Sequence, residues 1–143
     1  MQLLTMEIQK VIPVMYSTEN VELLEKVCHV KYFNPTGAGT WLAVEATAYC
    51  LDGDSDDYLE LPLSEFKEAI NKVDTEYETK SHGIVTLEDV RFFGWAKISH
   101  GEWGVFSLRE FLDYKGPFGL GIERDLYAGL PKKISLVSDW AAG

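Results

Sequence analysis

Many acids and three histidines of this chain could transfer protons, and two of the acids with one histidine serve as the example considered. Glu123 and Asp125 flank a single arginine, and His100 lies in a turn-like stretch. Carboxylates and an imidazole that meet in a pocket can serve as general acid and general base. The three groups are distant in sequence, so only the fold could bring them together. A small enzyme with a site assembled from these residues is therefore one hypothesis, and a non-enzymatic protein is the other.

Arg124, between the two acids, has two alternative roles. Residues 118–127 alternate as a strand would, with the two acids on one side. Arg124 then shares the other side with Phe118, Leu120, Ile122 and Leu126. A half-buried guanidinium must be paired, because an unpaired buried charge costs several kcal/mol. We expect Arg124 to clamp the tail through a carboxylate such as Glu45 or Glu110, or through helix C-terminal carbonyls. The alternative is that it lines a partner or anion site and is open in the free protein.

An acidic segment supplies the other candidate binding residues. Asp52, Asp54 and Asp56 have the spacing of the first EF-hand ligands, but Asp57 stands where a glycine is required and Leu63 where a glutamate ligand is required. We therefore interpret this stretch as a solvated acidic loop and expect no metal site. The full set of candidate partner-binding residues is Asp54, Asp56, Asp57, Glu60, Glu123, Arg124 and Asp125.

Motifs for cofactors and nucleophiles fail at positions that their chemistry needs. Residues 37–39 lack the lysine of a phosphate-binding loop, and Arg124 stands where a dinucleotide fingerprint starting at Gly119 has glycine. The histidines lack metal-ligand spacing and are interpreted as solvent-exposed: His29, His82 and His100. We expect no cofactor and no catalytic residue of a known motif.

The elements that must position these residues are strands and short helices. Residues 27–33 and 41–51 predict one antiparallel hairpin, and residues 90–98 and 103–106 predict a second. Three stretches predict helices. Residues 6–12 follow a capping Thr5, residues 64–73 place Phe66, Ala69, Ile70 and Val73 on one face, and residues 107–114 begin with a Ser107–Glu110 capping box.

The predicted fold class is therefore α+β, an antiparallel sheet of two hairpins with about three helices packed on it. We expect a single domain over residues 1–143, since this length buries one substantial core. Within it, residues 52–87 form an acidic insert that carries one helix, and residues 116–143 form an irregular C-terminal tail.

Charge and cysteine content narrow the function classes. The net charge of −10 would repel a polyanion, so direct nucleic-acid binding is not expected. Residues 52–80 alone carry ten acids against three bases. Cys28 and Cys50 lack metal or redox spacing and fit buried apolar positions in a reducing compartment. The chain has neither a secretion signal pattern nor a long apolar run, and we expect a cytoplasmic protein that binds no membrane.

Two stretches carry a family resemblance. Residues 103–111 and the sequence GPFGLGIERDLY at 116–127 resemble a small bacterial family of unknown function, carried largely by plasmids, conjugative elements and phages. The opening is similar too, with YSTENV at 16–21, a strand at 27–33 and Thr40-Trp41 beginning the next strand. The resemblance covers residues 1–51 and 88–128, and shorter family members lack the acidic insert. It implies a mobile-element accessory role and transfers no catalytic residue.

Charge, absent motifs and resemblance together favour a non-enzymatic accessory protein that binds another protein. A sharper version is that the acidic insert meets a basic surface and counters a host defence or DNA-processing protein by imitating DNA. Acidic loops also serve solubility alone, so a purely solubilising role for the insert stays open. The alternative from another class is the small enzyme with Glu123, Asp125 and His100 in its site.

Overall fold

Two long strands form the centre of the fold in the computed structural model, which describes residues 1–137. β3 and β6 pair antiparallel from Thr40–Lys97 to Asp52–Val85. The strands are β1 (Val27–Cys28), β2 (Val30–Phe33), β3 (Thr40–Asp52), β4 (Tyr58–Leu61), β5 (Thr75–Glu78), β6 (Ile84–Lys97), β7 (Gly101–Ser107), β8 (Glu123–Arg124) and β9 (Lys132–Lys133). The α-helices of this range are α1 (Met6–Val11) and α2 (Leu108–Asp113), and single 3-10 turns cover Leu23–Glu25, Leu63–Glu65, Pro117–Gly119 and Ile134–Leu136.

The central pair has different neighbours at its two ends. At the five-stranded end the order is β8-β2-β3-β6-β7, whereas at the four-stranded end β4 pairs with β3 and β5 pairs with β6. All of these pairings are antiparallel. β1 and β9 form a separate two-stranded sheet beside β2. The acidic insert therefore extends the central strands lengthwise and is not a separate unit beside the sheet.

A β-bulge in β3 brings its backbone very close to β6. The register shifts between Ala43 and Glu45, and Gly94 of β6 lies opposite Ala43. A Cβ atom on Gly94 would lie 1.8 Å from the Leu42 carbonyl oxygen. Only a residue without a side chain can occupy this position.

The hydrophobic core lies on both faces of the curled sheet. The larger cluster joins the sheet to the N-terminal segment and α2, and its most buried side chains include Leu4, Tyr32, Phe66, Phe92 and Leu108. A smaller cluster on the opposite face contains Cys28, Leu42, Val44, Trp95, Ile134 and Val137. Cys28 and Cys50 are buried free thiols, as expected from their sequence context. None of the helices described reaches the length and hydropathy that a membrane crossing requires.

Two predicted helix caps are present, whereas Ser64 caps no helix. The Thr5 hydroxyl accepts a hydrogen bond from the Ile8 N–H at 3.2 Å, and α1 ends before Pro13. The Ser107 hydroxyl accepts from the Glu110 N–H at 3.2 Å and donates to the Glu110 carboxylate at 3.1 Å. These local signals operate within one helical turn, which explains why the sequence predicts them well.

The predicted fold class is wrong. Strands hold 39% of the described residues and helices 18%, so the fold is mostly β. The two hairpins, β2–β3 and β6–β7, belong to a curled seven-stranded sheet that also recruits β4, β5 and β8. The three predicted packed helices are replaced by two six-residue α-helices in the described part of the chain.

The helix predicted over residues 64–73 does not form. Its apolar residues Phe66 and Ile70 are buried, but the backbone around them pairs with distant segments. The Lys67 N–H donates to the Glu78 carbonyl at 3.1 Å, and Phe66 forms an isolated antiparallel bridge with Thr79. These bonds satisfy groups that a helix would have satisfied internally, and the sequence pattern reports burial without reporting backbone partners.

The strand predicted across residues 118–127 is also wrong. Only Glu123 and Arg124 lie in a strand, while Phe118 is 97% exposed and adopts φ of 63°. Of the four apolar residues assigned to one side, only Ile122 is buried. Residues 138–143 of the predicted tail lie outside the described residues.

Candidate functional site

The turn between β3 and β4 presents three carboxylates at the four-stranded end. Asp52 organises this turn, because its side chain accepts the Asp54 N–H at 2.8 Å and the Ser55 N–H at 3.3 Å. The side chains of Asp54, Asp56 and Asp57 are exposed and make no hydrogen bond or ion pair within residues 1–137. The predicted acidic loop is therefore present, and its charges are available to a partner.

Tyrosine side chains continue this surface along the sheet. Tyr49 and Glu60 are cross-strand partners, and the Arg91 guanidinium lies 4.3 Å from the centre of the Tyr49 ring. Tyr58 is 58% exposed, and the Glu88 carboxylate is close enough to add to the effect of burial in raising the pKa of its hydroxyl. We call these five residues the tyrosine face. Partial burial, followed by the nearby carboxylates, raises the pKa of both tyrosine hydroxyls, so they stay protonated donors at neutral pH.

Several other acids of the insert are engaged within the protein. Glu65 accepts hydrogen bonds from Ser81 and His82, and the Ser81 hydroxyl contributes most to lowering the Glu65 pKa. Asp74 is bound by both terminal nitrogens of Arg109, at 2.7 and 2.9 Å. These contacts hold the irregular part of the insert against the sheet. The acids of the β3–β4 turn are thus distinct from the structural acids of the same segment.

A cleft lies at the opposite end of the molecule, where the chain leaves the sheet edge between β8 and β9. β8 pairs with β2 and β9 pairs with β1, so residues 125–131 form an arch between the two pairings. The space beneath this arch has a volume of about 330 Å³. Its lining residues include Ile8 and Val11 of α1, His29, Lys31, Arg124 and Leu130.

Arg124 binds the N-terminal segment and not a carboxylate. Its side-chain Nε donates to the Gln2 carbonyl at 3.1 Å, and no acidic side chain within residues 1–137 forms an ion pair with it. The predicted partners Glu45 and Glu110 are engaged elsewhere. Arg124 therefore joins the tail to the N-terminal segment through a backbone carbonyl, which is neither a carboxylate nor a helix C-terminal carbonyl, and the residue also lines the cleft.

Glu45 belongs to a buried polar cluster that holds residues 16–26 on β3. Its carboxylate accepts the Tyr16 N–H at 2.8 Å, the Thr18 N–H at 3.1 Å and the Thr18 hydroxyl, and Lys26 lies 3.7 Å away. Lys26 also donates to the Thr18 carbonyl. Three hydrogen bonds and the Lys26 ammonium thus compensate this buried charge, which is what a buried carboxylate requires.

Asp125 and Glu123 lie on either side of Arg124 with different partners. Asp125 forms an ion pair with Lys31 at 3.1 Å and accepts the Tyr127 N–H at 2.8 Å. Partial burial opposes ionisation of Asp125, but the Tyr127 N–H and the Lys31 ammonium outweigh it and lower its pKa. Glu123 sits opposite Phe33 in the β2–β8 pairing. Asp125 is therefore a fixed carboxylate and not a candidate proton donor.

His29 is the cleft residue that the sequence interpretation missed. It was expected to be solvent-exposed, but its Nδ1 is covered and has no hydrogen-bond partner within residues 1–137. Burial lowers the pKa of His29 below its usual value, so the imidazole is neutral at pH 7. No local signal in the sequence marks this burial.

The proposed catalytic set is not assembled. His100 lies in the exposed turn between β6 and β7, whereas Glu123 and Asp125 lie at β8 on the other edge of the five-stranded end. The described residues also contain no group of three or more His, Cys, Asp or Glu side chains that could hold a metal ion.

The two groups of predicted binding residues are also far from each other. Arg124 pairs with Tyr32, and Tyr32 pairs with Trp41 near the start of β3. The acidic turn follows Asp52 at the end of β3, so roughly 35 Å of strand separates the two groups. They cannot form one site, and each must be considered alone.

Comparisons with known proteins find no matching family model, no matching curated protein and no matching solved structure. The resemblance of residues 103–111 and 116–127 to a mobile-element family therefore stays a prediction.

Proposed function

We propose that this protein is a non-enzymatic accessory protein of a mobile element and that it binds another protein through its four-stranded end. The observation that carries the proposal is the exposed, unpaired set of carboxylates at Asp54, Asp56 and Asp57 beside the tyrosine face. Because these carboxylates form no ion pair with residues 1–137, no ion pair within this range has to break when a partner binds them. A preformed turn also needs little ordering on association.

The partner that fits this surface is a protein with a basic patch. Residues 52–80 carry ten acids against three bases, and complementary charge speeds encounter and selects the partner. Tyr58 supplies an exposed aromatic ring, the type of side chain that contributes most at protein interfaces. A surface made of carboxylates alone would lack such an apolar anchor.

A host protein that binds DNA is the most specific partner of this kind. Its basic surface accepts phosphates, and carboxylates can occupy the same positions. Imitation of DNA in this way would counter a restriction, recombination or defence protein, which agrees with the mobile-element resemblance. Such a complex must weaken steeply as the salt concentration rises, because exposed charge pairs are screened.

The test is affinity capture of partners from a bacterial lysate with four acids neutralised. The variant combines Asp54→Asn, Asp56→Asn, Asp57→Asn and Glu60→Gln. The matched control removes four exposed acids elsewhere, at Glu19, Glu22, Glu102 and Asp113. Captured proteins are identified by mass spectrometry and then purified for titration calorimetry in low and high salt.

We expect a partner that binds the native protein and the control, is lost with the variant, and is displaced by duplex DNA. A partner that binds the variant as tightly as the native protein contradicts the role of the acidic turn. A partner that needs the turn but ignores duplex DNA removes only the DNA-imitating version.

A further inference from the structure

The cleft beneath the arch combines an apolar wall with a small number of polar groups. Ile8, Val11, Val30, Leu126, Leu130 and Pro131 contribute apolar surface. Its volume of about 330 Å³ lies at the lower end of the range for small-molecule sites. The exposed lining is divided about equally between apolar and polar atoms, so the cleft can offer an apolar wall and convergent polar groups to one small organic molecule.

Arg124 provides the charge that such a molecule would meet. Its Nε is committed to the Gln2 carbonyl, which holds the guanidinium in place. Its terminal nitrogens make no hydrogen bond to residues 1–137. A guanidinium fixed at one nitrogen and open at two is arranged to bind a carboxylate in the bidentate manner.

His29 provides a second donor. Its Nδ1 is covered without a partner, and a buried N–H without an acceptor is more costly than a buried acceptor without a donor. The proton of the neutral ring therefore resides on Nε2, which is the group that the ring can offer to the cleft. Lys31 and Asp125 form an ion pair with each other, so together they add no net charge to the cleft.

Glu7 restricts the anions that can enter. This acid of α1 lines the same cleft and makes no ion pair within the described residues. Its negative charge opposes a dianionic phosphate more strongly than a monoanion, since repulsion scales with the product of the charges. A phosphate would also leave the apolar wall without a contact.

We propose that the cleft beneath residues 125–131 is a binding site for a small monocarboxylate with a branched aliphatic body, held by Arg124 and His29. The carboxylate accepts hydrogen bonds from the Arg124 guanidinium and the His29 Nε2–H. The aliphatic body packs between α1 and the arch, against Val11 and Leu130. This site is independent of the acidic turn at the other end of the sheet.

The experiment follows the ring signals of His29 by NMR at neutral pH during titration with 4-methylpentanoate. His82 and His100 are exposed and outside the cleft, so their ring signals are internal controls. Two further probes each lack one part of the proposed ligand: 4-methylpentanol has no carboxylate, and inorganic phosphate has no aliphatic body. We expect a saturable shift of the His29 signals with 4-methylpentanoate alone.

Two variants test the site by different means. Arg124→Gln removes the charge and keeps an amide donor, and Val11→Trp fills the cleft from a residue that is 57% exposed and therefore tolerant of substitution. We expect each to weaken 4-methylpentanoate binding by roughly tenfold or more. Arg109→Gln, at an arginine outside the cleft, is the matched control and leaves binding unchanged.

Four results would overturn the proposal. The first is a His29 signal that does not respond to 4-methylpentanoate, and the second is an equal response to 4-methylpentanol. The third is a response that survives Val11→Trp in a protein whose His82 and His100 signals show the native fold. A response to phosphate alone would replace the carboxylate site with a simple anion site and also contradict the proposal.

Discussion

The side-chain amide of Gln9 makes the hydrogen bond to the Ile70 N–H that a neighbouring backbone would otherwise make. Its Oε1 accepts the Ile70 N–H at 2.8 Å, while its Nε2 donates to the Glu68 carbonyl at 3.2 Å. Gln9 is completely buried in doing so. One amide of α1 thus satisfies both a donor and an acceptor of a segment that lies in no helix or strand, and it anchors the insert to the N-terminal helix.

Replacing Gln9 by leucine should destabilise the protein by about 2 kcal/mol, because the Ile70 N–H is buried and would lose its only acceptor. Urea unfolding followed by tryptophan fluorescence measures the change. Gln2→Leu is the control, since the Gln2 side chain is exposed and its carbonyl stays available to Arg124. Equal stability of the two variants would show that the Gln9 amide is not needed.

The same contact shows why part of the fold could not be predicted. The spacing of Phe66, Ala69, Ile70 and Val73 predicts which residues are buried, and Phe66 and Ile70 are fully buried. Helical spacing predicts a helix only if the backbone bonds stay local. Here they are made to Gln9 and to residues 78–80, which a local pattern cannot reveal. Caps and hairpins were predictable because their partners lie within a few residues.

The candidate sites were predictable to different degrees for a similar reason. The exposed acidic turn follows from composition alone, since aspartates beside glycine resist burial. The contribution of Arg124 to a cleft was one of two stated alternatives, but its acceptor, the Gln2 carbonyl, has no signature in the sequence. The place of His29 could not be predicted locally, because the cleft that it lines is also formed by residues 5–11 and 124–131, which are distant from it in sequence.

Gly94→Ala should be severely destabilising, by more than about 3 kcal/mol, because its Cβ would overlap the Leu42 carbonyl. The control is Gly104→Ala on the neighbouring strand. Gly104 is the cross-strand partner of Gly94, and a Cβ there meets no atom within 4 Å. We expect the control to be neutral or slightly stabilising. Similar melting temperatures for both variants would contradict the close approach of β3 and β6.

Glu45→Gln should cost about 3–5 kcal/mol, because it leaves the buried Lys26 ammonium without a counter-charge. Adding Lys26→Met to Glu45→Gln removes the uncompensated charge. We therefore expect the double variant to be more stable than Glu45→Gln alone, as measured by urea unfolding. A double variant whose loss equals the sum of the two single losses would show that the two charges do not interact.

Acidification should weaken the native state through His29. Its pKa is lowered by burial, so between the native value and the ordinary value of 6.5 the unfolded chain binds a proton that the folded chain does not. Stability is therefore retained above pH 6.5 and lost as the pH falls below it, by at most about 1.4 kcal/mol per pH unit.

The measurement is urea unfolding at several pH values for the native protein, for His29→Phe and for His100→Phe. We expect the loss below pH 6.5 to be smaller in His29→Phe, because the phenyl ring cannot bind a proton. His100→Phe alters an exposed turn residue and should follow the native curve. Identical pH profiles for all three proteins would place the acid sensitivity elsewhere.

The two long central strands impose an order on folding. Thr40 pairs with Lys97 and Asp52 with Val85, so chain loops of more than about thirty residues must close before any β3–β6 pair forms. β2, β4, β5 and β7 all depend on this pair for their inner neighbour. Non-local pairing of this kind is slow, in the range of milliseconds to seconds for proteins dominated by it. Until the nascent chain has completed β6, β3 has no partner along the edge that β6 will occupy. The apolar residues of β3 therefore stay exposed during synthesis.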